Sequence, residues 1–218
     1  MPEPFYSEIF TISSHHPFTV PTQYIDSFPK GPIPMLEVVG YADYALRKFF
    51  EEAKMQPWYN NTLFILTADH PGPPLPEDEF YQEQVGAHST WMLLYKPNGQ
   101  FRGTSDMVVQ QSDIMPTVLD YIGYTGKYMS FGNSVFDTLS EHYAFNYHAS
   151  EYMIINDDFA LQFNDGKTIG LYQYKQDSTL SRNVMNDYPD LTVSLEEKLK
   201  AIIQAHNHAM IYNKLVAE

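Results

Sequence analysis

This 218-residue sequence predicts an α/β fold: a mixed, largely parallel sheet flanked by helices, then a small C-terminal subdomain of antiparallel β plus helix. Three observations carry that prediction. Residues 62–70 read TLFILTADH, an apolar run of strand length that stops at Asp69 and His70. Just upstream, apolar residues recur at helical spacing over 35–55, and a helix leading into a buried strand is the repeating unit of a parallel sheet. After about residue 144 the pattern changes to short alternating segments divided by Asn/Asp/Gly turns, the mark of an antiparallel meander. The expected organisation is residues 1–143 as the α/β part and 144–218 as the β-plus-helix subdomain.

The elements follow in order. Residues 5–12 (FYSEIFTI) predict a strand that begins almost at the first residue, as in a chain cut from something longer. A polar loop, Ser13-Ser14-His15-His16-Pro17, comes next, and prolines at 17, 21, 29, 32 and 34 keep the backbone extended. Leu36, Val39, Ala42, Leu46, Phe49, Phe50 and Ala53 mark one face of an amphipathic helix, ended by Pro57 and the Asn60-Asn61 pair. Beyond the strand at 62–67, residues 71–83 form a loop rich in proline and acid. Residues 90–95 (TWMLLY) predict a second short buried strand, closed by the turn Lys96-Pro97-Asn98-Gly99. A helix is expected over 112–122, capped by Ser112 or Asp113, with Pro116 in its first turn and Gly123 past its end. Strands at 152–155, 160–163 and 168–174 turn at Asn156-Asp157-Asp158 and Asn164-Asp165-Gly166, and a helix over 195–212 closes the chain.

Composition bounds the function. A net charge of −14 disfavours DNA, RNA or an anionic membrane surface as the main partner, because the Coulombic term opposes them. A bound divalent cation can still make one pocket locally positive. The absence of cysteine excludes disulfides, thiol nucleophiles and Cys-type zinc sites. No apolar run approaches the roughly 20 residues of a membrane-spanning helix and no signal peptide is evident, so the sequence as given reads as soluble. The 17 tyrosines point either to aromatic packing or to a surface facing sugars or lipid headgroups.

The Asp69-His70 pair is the chemical focus. In open α/β sheets, ligands bind beyond the carboxyl ends of the strands, where this pair is expected to emerge. A carboxylate beside an imidazole suits Zn or Mn, although most such pairs only hydrogen-bond at a surface.

Four stretches occur together and in one order: SSHHPF, GYADYALRKFF, NNTLFILTADH and QQSDIMPTVLDYIG. In combination they resemble the lipoteichoic-acid-synthase-like sulfatases of the alkaline phosphatase superfamily. The resemblance spans essentially the whole chain but only the C-terminal half of that family's catalytic domain. It implies that Asp69 and His70 are two ligands of a catalytic divalent cation, Zn or Mn. It implies that His15 contacts the phosphate or leaving group, with His16 at the variable position beside it. The stretch holding Gln111, Asp113, Ile114, Pro116 and Thr117 is read as structural, a helix start whose Asp113 satisfies backbone N–H groups. Family members carry a further histidine in a His-Pro-x-Tyr setting. Here Asp78-Glu79-Phe80-Tyr81 stands there, with Asp78 in the histidine's place and His88 ten residues on as its substitute. His15, His16, His88 and Asp78 are thus the candidate substrate-binding residues. His142, His148, His206 and His208 read as solvent-facing or hydrogen-bonded.

By resemblance, the function is that of a metal-dependent sulfatase-like enzyme acting on sulfate or phosphate esters. It would be a sulfuric ester hydrolase, or a phosphoglycerol or phosphoethanolamine transferase, working through a covalent intermediate. The nucleophile and an acidic metal ligand belong to the family's N-terminal half-domain. The chain alone is therefore expected to be inactive and its cation incompletely ligated. The expected partners are that missing half, a phospho- or sulfo-ester substrate, and a second copy joined through exposed edges. The expected location is the periplasmic or extracellular face of the cytoplasmic membrane. A different class of reading is a degenerate, non-catalytic module of the same fold that binds a glycan or lipid headgroup, which Asp78 and the tyrosine content favour.

Overall fold

The computed structural model describes residues 4–217, and the chain divides into two compact units. One comprises the described residues up to Ile65 together with Leu94–Arg102; the other comprises Leu66–Leu93 and the described residues from Gly103 onward.

In the first unit, helix α1 (Met35–Ala53) forms where the apolar period predicts it. Aromatic rings hold it in place. Tyr24 and Phe28 from the proline-rich segment lie 5.4 to 6.0 Å from Tyr41 and Tyr44 of the helix. Phe50 packs 5.1 Å from Phe64 and 5.6 Å from Tyr95. The Tyr59 and Tyr95 hydroxyls share a 2.8 Å hydrogen bond, and burial followed by that bond pushes the Tyr59 phenol up to about 12. These tyrosines serve packing, the plainer of the two compositional readings.

The predicted core face of α1 is only partly covered. Ala53 is buried, as is Val38 beside that face, whereas Leu36, Val39, Leu46 and Phe49 are 38%, 46%, 40% and 37% exposed. An amphipathic stripe marks a face that needs an opposing layer. Among the described residues, α1 finds only part of one. The strand predicted over 5–12 is corrected for a related reason. The segment carries no strand, and Tyr6, Ile9, Phe10 and Ile12 are 66–82% exposed. Strand preference reflects fit to a pleated, half-buried surface, and here no ladder is joined among the described residues.

β1 (Phe64–Thr67) pairs with β2 (Met92–Tyr95) in a two-stranded sheet. Both strands are half-buried rather than the fully buried elements their apolar runs suggest, since Thr67 and Leu93 are exposed. The Thr67 hydroxyl donates to the Trp91 carbonyl at 2.7 Å, tying the end of β1 to the approach to β2. The turn after β2 closes with the Gly99 amide donating to the Lys96 carbonyl at 3.0 Å.

The second unit holds the short helix α2 (Glu79–Gln82), helix α3 (Ile114–Tyr121) and a four-stranded antiparallel sheet. Its strands, β3 (Ala144–His148), β4 (Glu151–Ile155), β5 (Ala160–Asn164) and β6 (Lys167–Tyr172), lie side by side in chain order. The last three match the predicted meander. β3 is an addition, for a reason given below.

Alternation splits the sheet into two apolar faces. Ile154, Leu161, Phe163 and Leu171 pack against Leu195, Leu199 and Ile202 of helix α4 (Pro189–Ile211), which begins with Pro at its first turn and earlier than the apolar pattern suggests. Each fully buried side chain of this kind contributes roughly 1.5–3 kcal/mol. On the opposite face Met153, Ile155 and Ala160 pack with Val85 and Leu180. Val85 lies in the segment that carries α2 and the 3-10 turn Gly86–His88, so the antiparallel sheet is the support on which that segment rests. Among the described residues, no helix is long and apolar enough to cross a membrane.

Candidate functional site

Just beyond β1, Asp69 and His70 form a closely defined pair. The His70 amide donates to Asp69 Oδ1 at 3.0 Å, and His70 Nδ1 lies 2.7 Å from the Pro71 carbonyl oxygen. A carbonyl only accepts, so Nδ1 carries the proton and Nε2 of the neutral ring keeps its lone pair. That Nε2 stands 3.6 Å from Asp69 Oδ2, with the His70 and Asp69 side chains 69% and 56% exposed. Two donors each about 2.1 Å from one tetrahedral cation would lie about 3.4 Å apart. The pair therefore has nearly the bite that Zn requires, on atoms open to solvent. It is a two-donor set: among the described residues, no group of three or more His, Cys, Asp or Glu side chains could hold a metal ion.

His15 and His88 repeat the same device. His15 Nδ1 donates to the His16 carbonyl at 2.8 Å, and His88 Nδ1 donates to the Gln84 carbonyl at 2.9 Å. Each ring thus presents Nε2. His16 is exposed and sets its ring edge-on to Phe18 at 5.8 Å. Asp78 is half-buried at the N-cap of α2 and makes no side-chain capping bond there. His15 and His16 belong to the first unit, and Asp69, His70, Asp78 and His88 to the second. Within the second unit the ring and hydrogen-bond contacts of His88 run to Gln84 and to His148.

The Sulfatase family model matches residues 2–124. This chain belongs to the Sulfatase family. It is 26% identical over 154 residues to the lipoteichoic acid synthase of Staphylococcus aureus strain USA300, a match covering 62% of this chain and 23% of that relative. Among solved structures, it resembles a protein of the alkaline phosphatase superfamily from Vibrio parahaemolyticus with a TM-score of 0.75 at 22% identity, covering 94% of this chain and 49% of that one. It also resembles the phosphonate monoester hydrolase of Agrobacterium radiobacter, with a TM-score of 0.56 at 17% identity over 79% of this chain and 41% of that one. The predicted α/β fold of the alkaline phosphatase and sulfatase type is thereby established, and the chain spans about a quarter of the curated relative's length.

In this Sulfatase chain two residues matter that the sequence reading treats as bland. His148, expected to be solvent-facing or hydrogen-bonded, has its ring 5.2 Å from that of His88, because β3 brings it there. Gln111 was read as part of a helix start, yet its side-chain amide donates to the carbonyls of Ala68 and Asp69 at 3.0 and 2.7 Å. The neighbouring Asp113 does what the sequence predicts. Its carboxylate is 2% exposed and accepts the Gln110 amide at 2.9 Å and the Asn133 amide at 2.8 Å. Burial raises its proton affinity, and the two N–H donors oppose that. His142 donates from Nε2 to the Asp137 carbonyl at 2.9 Å, while its Nδ1 is buried without a partner. The signal that could have found Gln111 is its chemistry: a primary amide two residues before a buried capping carboxylate, at the foot of a helix, is suited to reach another segment.

Proposed function

We propose that this chain carries part of a Sulfatase-family catalytic site that cleaves or transfers sulfate or phosphate esters, with Asp69 and His70 holding a Zn or Mn cation. The observation that carries the reading is the 3.6 Å pairing of His70 Nε2 with Asp69 Oδ2, with the imidazole tautomer fixed by Pro71. A cation bound there would polarise an ester oxygen and lower the pKa of a coordinated hydroxyl. The chain's own residues orient and exchange protons. The Pro71 carbonyl accepts from His70 Nδ1, so the lone pair of the neutral ring sits on Nε2, and the His70 amide steadies the Asp69 carboxylate. His88, whose Nδ1 donates to the Gln84 carbonyl, keeps Nε2 to face an ester oxygen or a leaving group. The attacking group is assigned to no residue of this chain. Hydrolysis and transfer differ only in whether water or a second alcohol takes the group. Following the resemblance to lipoteichoic acid synthase, the site would work on the outer side of the cytoplasmic membrane.

Titration calorimetry of the intact protein with Zn and Mn salts tests this reading. One cation should bind per chain, and Asp69→Ala should weaken it on the order of 100-fold while leaving thermal stability nearly unchanged, because the replaced side chain is exposed. If neither cation binds the protein and Asp69→Ala changes nothing, the catalytic reading fails and a module binding a glycan or lipid headgroup takes its place.

A further inference from the structure

Gln111 opens the 3-10 turn Gln111–Asp113, and its amide nitrogen bonds both the Ala68 and the Asp69 carbonyls. A primary amide has two N–H donors on one nitrogen, so a single neutral side chain can serve both acceptors. The two carbonyls belong to the peptide planes on either side of the Asp69 Cα. Peptide planes are rigid, so fixing both fixes φ and ψ of Asp69 and hence the direction of its carboxylate. The second plane also contains the His70 amide that donates to Asp69 Oδ1.

The post that carries Gln111 is itself anchored. Buried Asp113 binds the Gln110 and Asn133 amides, and the Thr117 hydroxyl donates to the Asp113 carbonyl at 2.6 Å. Gly132 permits the close approach, since a Cβ there would lie 2.4 Å from Asp113 Oδ1 and from the Ser112 carbonyl.

We infer that Gln111 is a positioning residue for the cation pair: it does not reach the cation, but sets the Asp69 and His70 donor atoms at the separation a cation needs. This rests on the proposed role of that pair. Groups that orient metal ligands in this way commonly change metal affinity 10- to 100-fold when removed.

The test uses the intact protein with Gln111→Met, which keeps length and neutrality but loses both donors, and Gln111→Asn, which keeps the amide but not the reach. Mn affinity should fall about 10- to 100-fold in both. The visible absorption of the Co-loaded protein should shift, and the cation-free Tm should stay within about 2 °C of wild type. A purely structural role would lower the Tm and leave both the affinity and the Co spectrum as they were. Affinities within twofold of wild type and an unchanged Co spectrum, in either variant that folds, overturn the inference while the cation reading stands. Failure of the wild-type protein to bind Mn or Co would overturn both, and that control separates the two failures.

Discussion

Asp113 and Glu196 are both carboxylates that accept backbone N–H groups, yet their surroundings move their proton affinities in opposite directions. Asp113 is raised, burial being the largest cause. Glu196 is lowered, first by Lys200 at 2.5 Å and then by the Thr168 hydroxyl at 2.6 Å. The linkage signs differ accordingly. The Asp113 contribution is complete below its unfolded-state value and is lost as pH rises through its raised folded value. The Glu196 contribution is complete above the ordinary carboxylate range and is lost as pH falls through its lowered folded value. Glu196→Gln should therefore cost about 1 kcal/mol at neutral pH, with the difference from wild type shrinking as the medium is acidified below about pH 4.5. Urea unfolding of both proteins from pH 7 to pH 3 measures it. A gap of constant size across that range would show that the charge on Glu196 is not what matters. One residue-scale device recurs among the histidines: His15, His70 and His88 each spend Nδ1 on a backbone carbonyl and leave Nε2 without that partner.

Among elements, the β3–β4 hairpin is the instructive case. Its two-residue turn places Ala149 at φ 50° and Ser150 at φ 71°, the left-handed region that such turns demand and that Asn and Gly satisfy with least strain. The β5–β6 turn has the same geometry with Asp165 and Gly166, the residues that made it predictable. Replacing Ala149→Asn together with Ser150→Gly should stabilise the protein by about 1 kcal/mol, read as a shift in the denaturant midpoint at constant m-value. An unchanged or lower midpoint would mean that the turn is not strained as its backbone angles imply. The hairpin also bears on the site. β3 carries His148 to the ring of His88 and lets Asn146 accept the Gln84 amide at 3.3 Å. The β-plus-helix part thus supports a segment holding one of the candidate substrate histidines.

At the scale of the whole molecule, surface is the notable quantity. The accessible area is 14537 Å², against about 10,000 Å² for a typical folded monomer of this length. Large apolar side chains are exposed, including Tyr6, Ile9, Phe10 and Ile12 in one stretch and Leu36, Val39, Leu46 and Phe49 along α1. Uncovered apolar surface on this scale marks an interaction surface or drives aggregation. Expressed alone, this chain should self-associate at micromolar concentration and enhance the fluorescence of a hydrophobic dye such as ANS. Light scattering across a dilution series checks this, and a monodisperse monomer with no dye enhancement would refute it.

By itself the sequence determined what depends on local chemistry and short periods. That includes α1 from its three- and four-residue apolar spacing, β4 to β6 from alternation and the Asp-Gly turn, and the capping role of Asp113. It also includes the Asp69-His70 pair and the family, because both reside in contiguous motifs. The tertiary structure alone decided what depends on partners distant in the chain. Residues 5–12 have strand composition but no ladder among the described residues, and Leu36, Val39, Leu46 and Phe49 of the apolar stripe of α1 are only partly covered. β3 stayed hidden because Ala149 and Ser150 carry no turn signal of their own. Gln111 lies 42 residues from Asp69, and no periodicity records that its two N–H donors close on the carbonyls beside the site. A motif can name the donor atoms of a site, but their separation is set by backbone planes that other segments hold in place.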